Sequence, residues 1–291
     1  MIISASRRTD IPAYYADWFM NRVRSGYCDV ANPFNSRIVS RVSLAPADVD
    51  VIVFWTRNAA PLLPHLDELD GMGYRYYFQY TLVQYPACLE PNTTLPAARI
   101  ATFRKLAERL GPERVVWRYD PVILSNITPP DFHQVNFAEL ARSLRGYTQR
   151  CVVSLLDLYA GTRRRMNALR SEGVSLLQPS RSEASDLLAA LSRMAGDNGM
   201  EVFTCAEPED FSDGGAPAGR CIDNELIERV FGMKLPDRKD PHQRKACRCV
   251  ISRDVGAYNT CPAGCIYCYA TGDIARAETY FRNHDSLGAR L

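Results

Sequence analysis

Short apolar runs rich in β-branched and aromatic residues alternate along this chain with longer segments whose apolar positions recur every three or four residues. The runs Ile2–Ser6, Val51–Trp55, Tyr74–Val83, Val115–Tyr119, Cys151–Leu156 and Glu201–Thr204 have the length and composition of buried parallel strands. Between them, Tyr14–Arg24, Ala60–Leu69, Ala97–Leu110, Pro130–Leu144 and Ser182–Ala195 carry helical spacing. Asp131 and Ser182 read as start signals, and Gly111-Pro112 as a stop. Repeated βα alternation predicts an α/β fold, a parallel (β/α) barrel, complete or partial, over residues 1–207. Asp29–Val42 breaks the rhythm and is expected to be a hairpin or long loop near the barrel mouth. From Pro208 the pattern dissolves into Gly, Pro and Cys. Residues 208–291 are therefore expected to form a cysteine-rich, cluster-binding segment packed on the barrel, with a helix at Ile274–Asn283.

With 46% hydrophobic and 23% charged residues, a chain of 291 residues can bury a large core. A net charge of +2 gives no argument for bulk attraction to nucleic acid or membrane. The apolar start at Met1 meets Arg7 and Arg8 too soon for a secretion signal, and the longest apolar runs are far short of a membrane span. Ten cysteines without an export signal argue for metal binding rather than a disulfide framework, so the protein is expected to be cytoplasmic.

Polar groups crowd the ends of the expected strands. Strand one runs into Arg7, Arg8 and Asp10, and strand two into Thr56, Arg57 and Asn58. Strand three holds Gln79, strand four gives Arg118 and Asp120, strand five Ser154 and Asp157, and strand six Cys205 and Glu207. In a parallel barrel these ends converge on one face, where active sites form. Any single one of them reads better as a helix cap or an ion pair, and Asp10-Ile-Pro12 has the form of an N-cap. Taken together they point to a polar pocket. Arg7, Arg57 and Arg118 could grip a carboxylate or phosphate by forked hydrogen bonds, and with Asp120 they are the candidate catalytic residues.

The densest chemistry lies in Cys261-Pro-Ala-Gly-Cys265-Ile-Tyr-Cys268. Three thiolates from one loop suit an iron–sulfur cluster better than zinc, and three ligands leave one iron of a four-iron cluster open. Cys205, Cys221, Cys247 and Cys249 form a second constellation, enough for a fully ligated cluster, a structural zinc or neither. Isolated Cys28, Cys88 and Cys151 read as small buried hydrophobes.

The C-x3-C-x2-C spacing, with Tyr267 before the last cysteine, resembles the cluster motif of the radical S-adenosylmethionine (SAM) enzymes. Its C-terminal position, with Ser4-Ala-Ser-Arg-Arg-Thr-Asp-Ile-Pro12 and Val53-Phe-Trp-Thr-Arg-Asn58, resembles the DUF1848 family, uncharacterised bacterial proteins with a C-terminal cysteine cluster. The resemblance implies a [4Fe-4S] cluster on Cys261, Cys265 and Cys268 whose open iron binds SAM. Reductive cleavage would then give a 5′-deoxyadenosyl radical that starts chemistry on an unknown substrate. It implies a place for Tyr267 near the adenine, a reducing partner such as flavodoxin or ferredoxin, and an auxiliary cluster on the other four cysteines. The superfamily places this motif near the barrel start and grips the SAM amino group with a Gly-Gly-Glu type element. No such element follows strand two here, which makes Arg57, Asn58 and Glu207 the candidates for that grip.

Arg163-Arg164-Arg165 is a compact basic run, read as a solvated face with nucleic acid as the sharper alternative. Tyr74-Arg-Tyr-Tyr-Phe-Gln-Tyr80 is read as a strand filling the core. Of the four histidines, only His242 lies near the cysteines, as a reserve ligand. Three functions stay open: a radical SAM-like enzyme, an iron–sulfur protein acting in electron transfer or Lewis-acid catalysis without SAM cleavage, and a zinc-stabilised nucleic-acid-binding protein.

Overall fold

The computed structural model describes residues 1–291. In chain order the elements begin with β1 (Ile2–Ala5), α1 (Ile11–Tyr14), α2 (Ala16–Ser25), β2 (Tyr27–Ala31), β3 (Val39–Ser43) and β4 (Val51–Thr56). There follow α3 (Leu66–Gly71), β5 (Tyr76–Thr81), α4 (Pro96–Leu110), β6 (Val115–Val122), α5 (Pro130–Leu144) and β7 (Arg150–Leu155). The last third holds α6 (Ala160–Ala168), α7 (Arg181–Gly196), β8 (Glu201–Thr204), α8 (Asn224–Phe231), β9 (Arg253–Asp254) and α9 (Ile274–Arg282).

Seven strands form one sheet in the order β8-β7-β6-β5-β4-β1-β9, with every neighbouring pair parallel. The edge strands β8 and β9 do not pair with each other, so this is an open α/β sheet and not a closed barrel. Both faces are apolar because successive side chains alternate between two cores. Ile52, Phe54, Tyr76, Phe78 and Tyr80 enter the large core beneath the helices. Val51, Val53 and Tyr77 point the other way, against Ile222, Leu226, Ile227 and Val250 of the C-terminal segment. The aromatic run is thus strand core on both sides.

Several local expectations are corrected. The hairpin of β2 and β3 joins the end of α2 to the start of β4, so it lies by the N-terminal ends of the strands rather than at the mouth. Ser182 is inside α7; the cap is Ser180, whose hydroxyl accepts from Glu183 N while Glu183 answers to Ser180 N. Asp131 sits in the first turn of α5, where its charge faces the helix N-terminus without making a cap bond. Strand β9, only two residues long, joins the far sequence region to β1 through Ile3↔Arg253 and Ser4↔Asp254. No helix is long and apolar enough to cross a membrane.

Candidate functional site

The C-terminal ends of the strands and the cysteine-rich segment enclose a cavity of about 450 Å³, within the size range of small-molecule sites. Its wall includes Arg7, Arg57, Arg118 and Asp120, and all seven cysteines of the two sequence groups. Asn58 and Glu207 are not on that wall. Asn58 Oδ1 accepts from Ala60 N at 3.1 Å and shapes the turn after β4. Glu207 accepts from Leu155 N at 2.8 Å, and burial raises its carboxyl to about 7.

Cys205 leaves β8, Cys221 precedes α8, and Cys247 and Cys249 precede β9, so three loops bring these thiols to one face of the sheet. Cys205 Sγ lies 3.2 Å from Cys221 Sγ. Cys249 Sγ accepts from the N–H groups of Cys221 and Ile222, each at 3.4 Å. Hydrogen bonds from neighbouring thiols hold Cys249 and Cys205 below the usual thiol range, while the donors Cys221 and Cys247 are pushed up. Arg118 Nη1 donates to Cys221 Sγ at 2.7 Å and Nη2 to Asp120 at 2.6 Å, and Asp120 also accepts from the Ser154 hydroxyl. This donor set is soft and anionic, the chemistry a thiophilic metal takes. Around one zinc ion at 2.3 Å the sulfurs would stand about 3.8 Å apart, so ligation would spread the observed contact. No three His, Cys, Asp or Glu side chains already stand in chelating geometry around a single ion.

The second group occupies one loop. Gly264 turns it at φ 74°, a left-handed conformation, where a Cβ would lie 3.0 Å from Asn92 Nδ2. Cys268 N donates to Cys265 O at 3.0 Å, and Ala270 N to Cys268 Sγ at 3.3 Å. Burial pushes Cys265 up to about 12 and Cys261 further, the state expected of protonated thiols without a metal. Three apolar neighbours, Leu89, Ile123 and Met166, pack behind the loop.

Tyr267 is held by its hydroxyl. It donates to Glu90 and accepts from Arg57 Nη1 at 2.9 Å, while Arg57 Nη2 pairs with the same carboxylate. Arg99 Nη1 lies 3.9 Å from Glu90, and its guanidinium donates to the carbonyls of Arg57, Val83 and Thr81. Arg57 is thereby committed to the fold, not free to fork onto a ligand. Asp10 caps α1 through Ala13 N at 3.0 Å and accepts from Arg57 N at 2.7 Å, and burial raises it to about 6. It is both the cap its motif suggests and part of the cavity wall.

Three important residues escaped the sequence reading. Glu90 lies in a loop with no local pattern to flag it. Arg99 falls on the buried stripe of α4 with Phe103 and Leu106, which is a readable anomaly for a cation. Arg165, read as part of a solvated basic run, donates to Ile266 O at 2.8 Å, to Cys268 O and to Gly272 O at 3.4 Å. It clamps the cysteine loop, while Arg163 and Arg164 are exposed. His242 reaches the cavity wall beside Gln243 and Arg244, and the other histidines do not. Cys28 and Cys151 are core residues, and Cys88 is half-buried beside the cysteine loop.

The family model described as "Domain of unknown function (DUF1848)" matches residues 2–270. No curated protein matches. Among solved structures, a D-hydantoinase is 10% identical with a TM-score of 0.32, covering 96% of this chain and 48% of its own. The chain thus spans about half the length of that enzyme. The enzyme anSMEcpe, with bound AdoMet and the Cp18Cys peptide, is 10% identical with a TM-score of 0.26, covering 99% of this chain and 80% of its own. Likenesses this weak carry no argument about function.

Proposed function

We propose that this chain, which belongs to the DUF1848 family, is an iron–sulfur enzyme resembling the radical SAM enzymes. Cys261, Cys265 and Cys268 would hold a [4Fe-4S] cluster, and the substrate would bind in the cavity they share with the strand ends. One observation carries this reading: three thiols of a single loop wall the same cavity as the polar strand ends of a parallel sheet. When bound, such a cluster with one iron open to SAM supplies the electron that cleaves the SAM sulfonium.

The chain's own residues would position and insulate that chemistry. Arg165 fixes the backbone of the loop from α6, and the Glu90–Arg57–Tyr267 set fixes it from β4. Leu89, Ile123 and Met166 keep water from its rear. Cys205, Cys221, Cys247 and Cys249 would form a second metal site, an iron–sulfur cluster or zinc, with Arg118 offsetting its negative charge. A reducing partner such as flavodoxin or ferredoxin, and a cytoplasmic location, follow from this reading.

A second reading, an iron–sulfur protein without SAM cleavage, draws on the turn after β4. Arg57 and Asn58, candidates for gripping the SAM amino group, are instead engaged by Glu90, Tyr267 and Ala60 N. The nucleic-acid reading keeps only Arg163 and Arg164 of the basic run that prompted it, since Arg165 is spent on the cysteine loop.

The test is anaerobic iron and sulfide quantification with an electron paramagnetic resonance spectrum of the reduced protein, with and without SAM. A signal that changes on SAM addition, and is lost in Cys265→Ala but kept in Cys249→Ala, is expected. A signal indifferent to SAM selects the second reading, and iron-free protein refutes both.

A further inference from the structure

Two arginines on the cavity wall lack a carboxylate partner, Arg7 and Arg8, and of these Arg8 donates from Nη1 to the Gly256 carbonyl at 3.4 Å. Arg57 is neutralised by Glu90, Arg118 by Asp120, and Arg244 by Asp157. Arg7 has no carboxylate on its guanidinium: Nη1 and Nη2 are both buried and neither finds an acceptor. The one nearby acid, Asp254, is already filled by four donors. Its carboxylate accepts from Ser4 Oγ at 3.0 Å, Ser6 Oγ at 2.6 Å, Arg7 N at 2.9 Å and Gly256 N at 3.0 Å.

The residue is nonetheless fixed. Its N–H is held by Asp254, its carbonyl accepts from the Tyr269 hydroxyl at 2.8 Å, and its guanidinium stacks 4.8 Å over Trp55. Stacking occupies the face of the guanidinium and leaves its edge, which carries the parallel N–H pair. Trp55 Nε1 is a third buried donor without an acceptor. Three orphaned N–H groups on two stacked side chains of one cavity wall are costly unless an acceptor arrives. No cysteine sulfur lies within hydrogen-bond reach of the guanidinium, so Arg7 is not spent on the thiols.

We propose that Arg7 and Trp55 form a subsite for the carboxylate of the substrate. Two parallel N–H groups match the two oxygens of a planar carboxylate, and Trp55 Nε1 adds a donor from the side. Arg7 alone among the wall arginines has neither a carboxylate nor a carbonyl on its guanidinium, and one negative charge balances it, which suits a carboxylate better than a phosphate dianion. Assigning the carboxylate to a substrate rests on reading the cavity as an active site; the anion subsite itself does not.

The experiment is calorimetric titration of the anaerobically purified full chain with benzoate, acetate, methyl benzoate and inorganic phosphate, with iron content measured on the same samples. Benzoate and acetate should bind and methyl benzoate should not. Arg7→Gln should weaken benzoate binding about 10- to 100-fold. Arg7→Lys should recover part of it, and Trp55→Phe, which keeps the ring, should weaken it less. SAM and decarboxylated SAM are titrated into wild type and Arg7→Gln to separate the sources: an unchanged SAM affinity assigns the carboxylate to the substrate. A loss confined to SAM assigns it to the cofactor and overturns the substrate assignment. Failure of the wild type to bind either carboxylate, tighter binding of phosphate, or unchanged benzoate affinity in the folded Arg7→Gln and Arg7→Lys variants would overturn the subsite. Carboxylate binding by protein lacking iron would keep the subsite while removing the cluster.

Discussion

Removing Glu90 should be among the most damaging single changes in this protein. Its side chain is 2% exposed and pairs with Arg57, 16% exposed, while Arg99 stands 3.9 Å away on the other oxygen. Glu90→Leu would leave two buried guanidiniums facing each other and deprive the Tyr267 hydroxyl of its acceptor. Breaking a buried pair costs about 3–5 kcal/mol, and the second cation places this case at the upper end. Arg57→Met combined with Glu90→Leu removes both charges of the pair. Arg99 still has three carbonyl acceptors, so most of the loss should return in the double variant. Urea titration at neutral pH measures the stabilities, and iron per chain after gel filtration tests whether Tyr267 was holding the loop. The reasoning fails if Glu90→Leu stays within about 1 kcal/mol of wild type. It fails equally if the double variant is no more stable than the single one.

Other consequences are open to similar checks. Arg165→Ala should cost roughly 2 kcal/mol and speed iron loss, because three carbonyls of the cysteine loop lose a charged donor. Arg163→Ala and Arg164→Ala should change neither, and equal effects at all three positions would remove the clamp from the account. His133 is fully buried between the Tyr119 hydroxyl and the Ile123 carbonyl, and burial lowers it to about 4. Its contribution is intact above the unfolded value near 6.5 and is lost as pH falls toward 4, since only the unfolded chain gains the proton there. Between pH 7 and 5 this amounts to about 2 kcal/mol, read as the difference in urea-midpoint slope between wild type and His133→Asn. Parallel slopes would count against it. Gly256→Ala should destabilise by roughly 1–3 kcal/mol, because the new Cβ would sit 2.6 Å from Ser6 Cβ beside the β1–β9 join. A variant as stable as wild type would show that the join yields easily.

The helices and strands were readable where hydrophobic period and length agreed. Pro130–Leu144 and Glu201–Thr204 coincide with α5 and β8 to the residue, and β5 carries its aromatic alternation on its surface. Reading failed where elements are too short or too polar to show a period. β9 has two residues, and α6 is built largely from Arg163, Arg164, Arg165 and small residues whose arginine faces inward. The strand-end principle brought Arg7, Arg118, Asp120 and the cysteines to one cavity, because a parallel sheet aims all of its C-terminal ends one way. It could not separate a spent arginine from a free one. Arg7 and Arg57 look alike in sequence, and only the position of Glu90, supplied by a loop after β5, distinguishes them.

The pairing of β1 with β9 also sets an order of events during synthesis. Ile3 and Ser4 leave the ribosome first, yet one flank of their strand is completed by Arg253 and Asp254 some 250 residues later. Until then Asp254 is missing and the donors it gathers from Ser4, Ser6 and Arg7 face water. Contacts this distant in sequence form slowly, because a long loop must close before anything rewards it. The Cys261–Cys268 loop lies beyond that late strand, so metal loading at this loop becomes a step that follows emergence of nearly the whole chain. Chains ending before Arg253 should therefore hold the helix-packed core of the sheet while lacking the Cys261–Cys268 cluster.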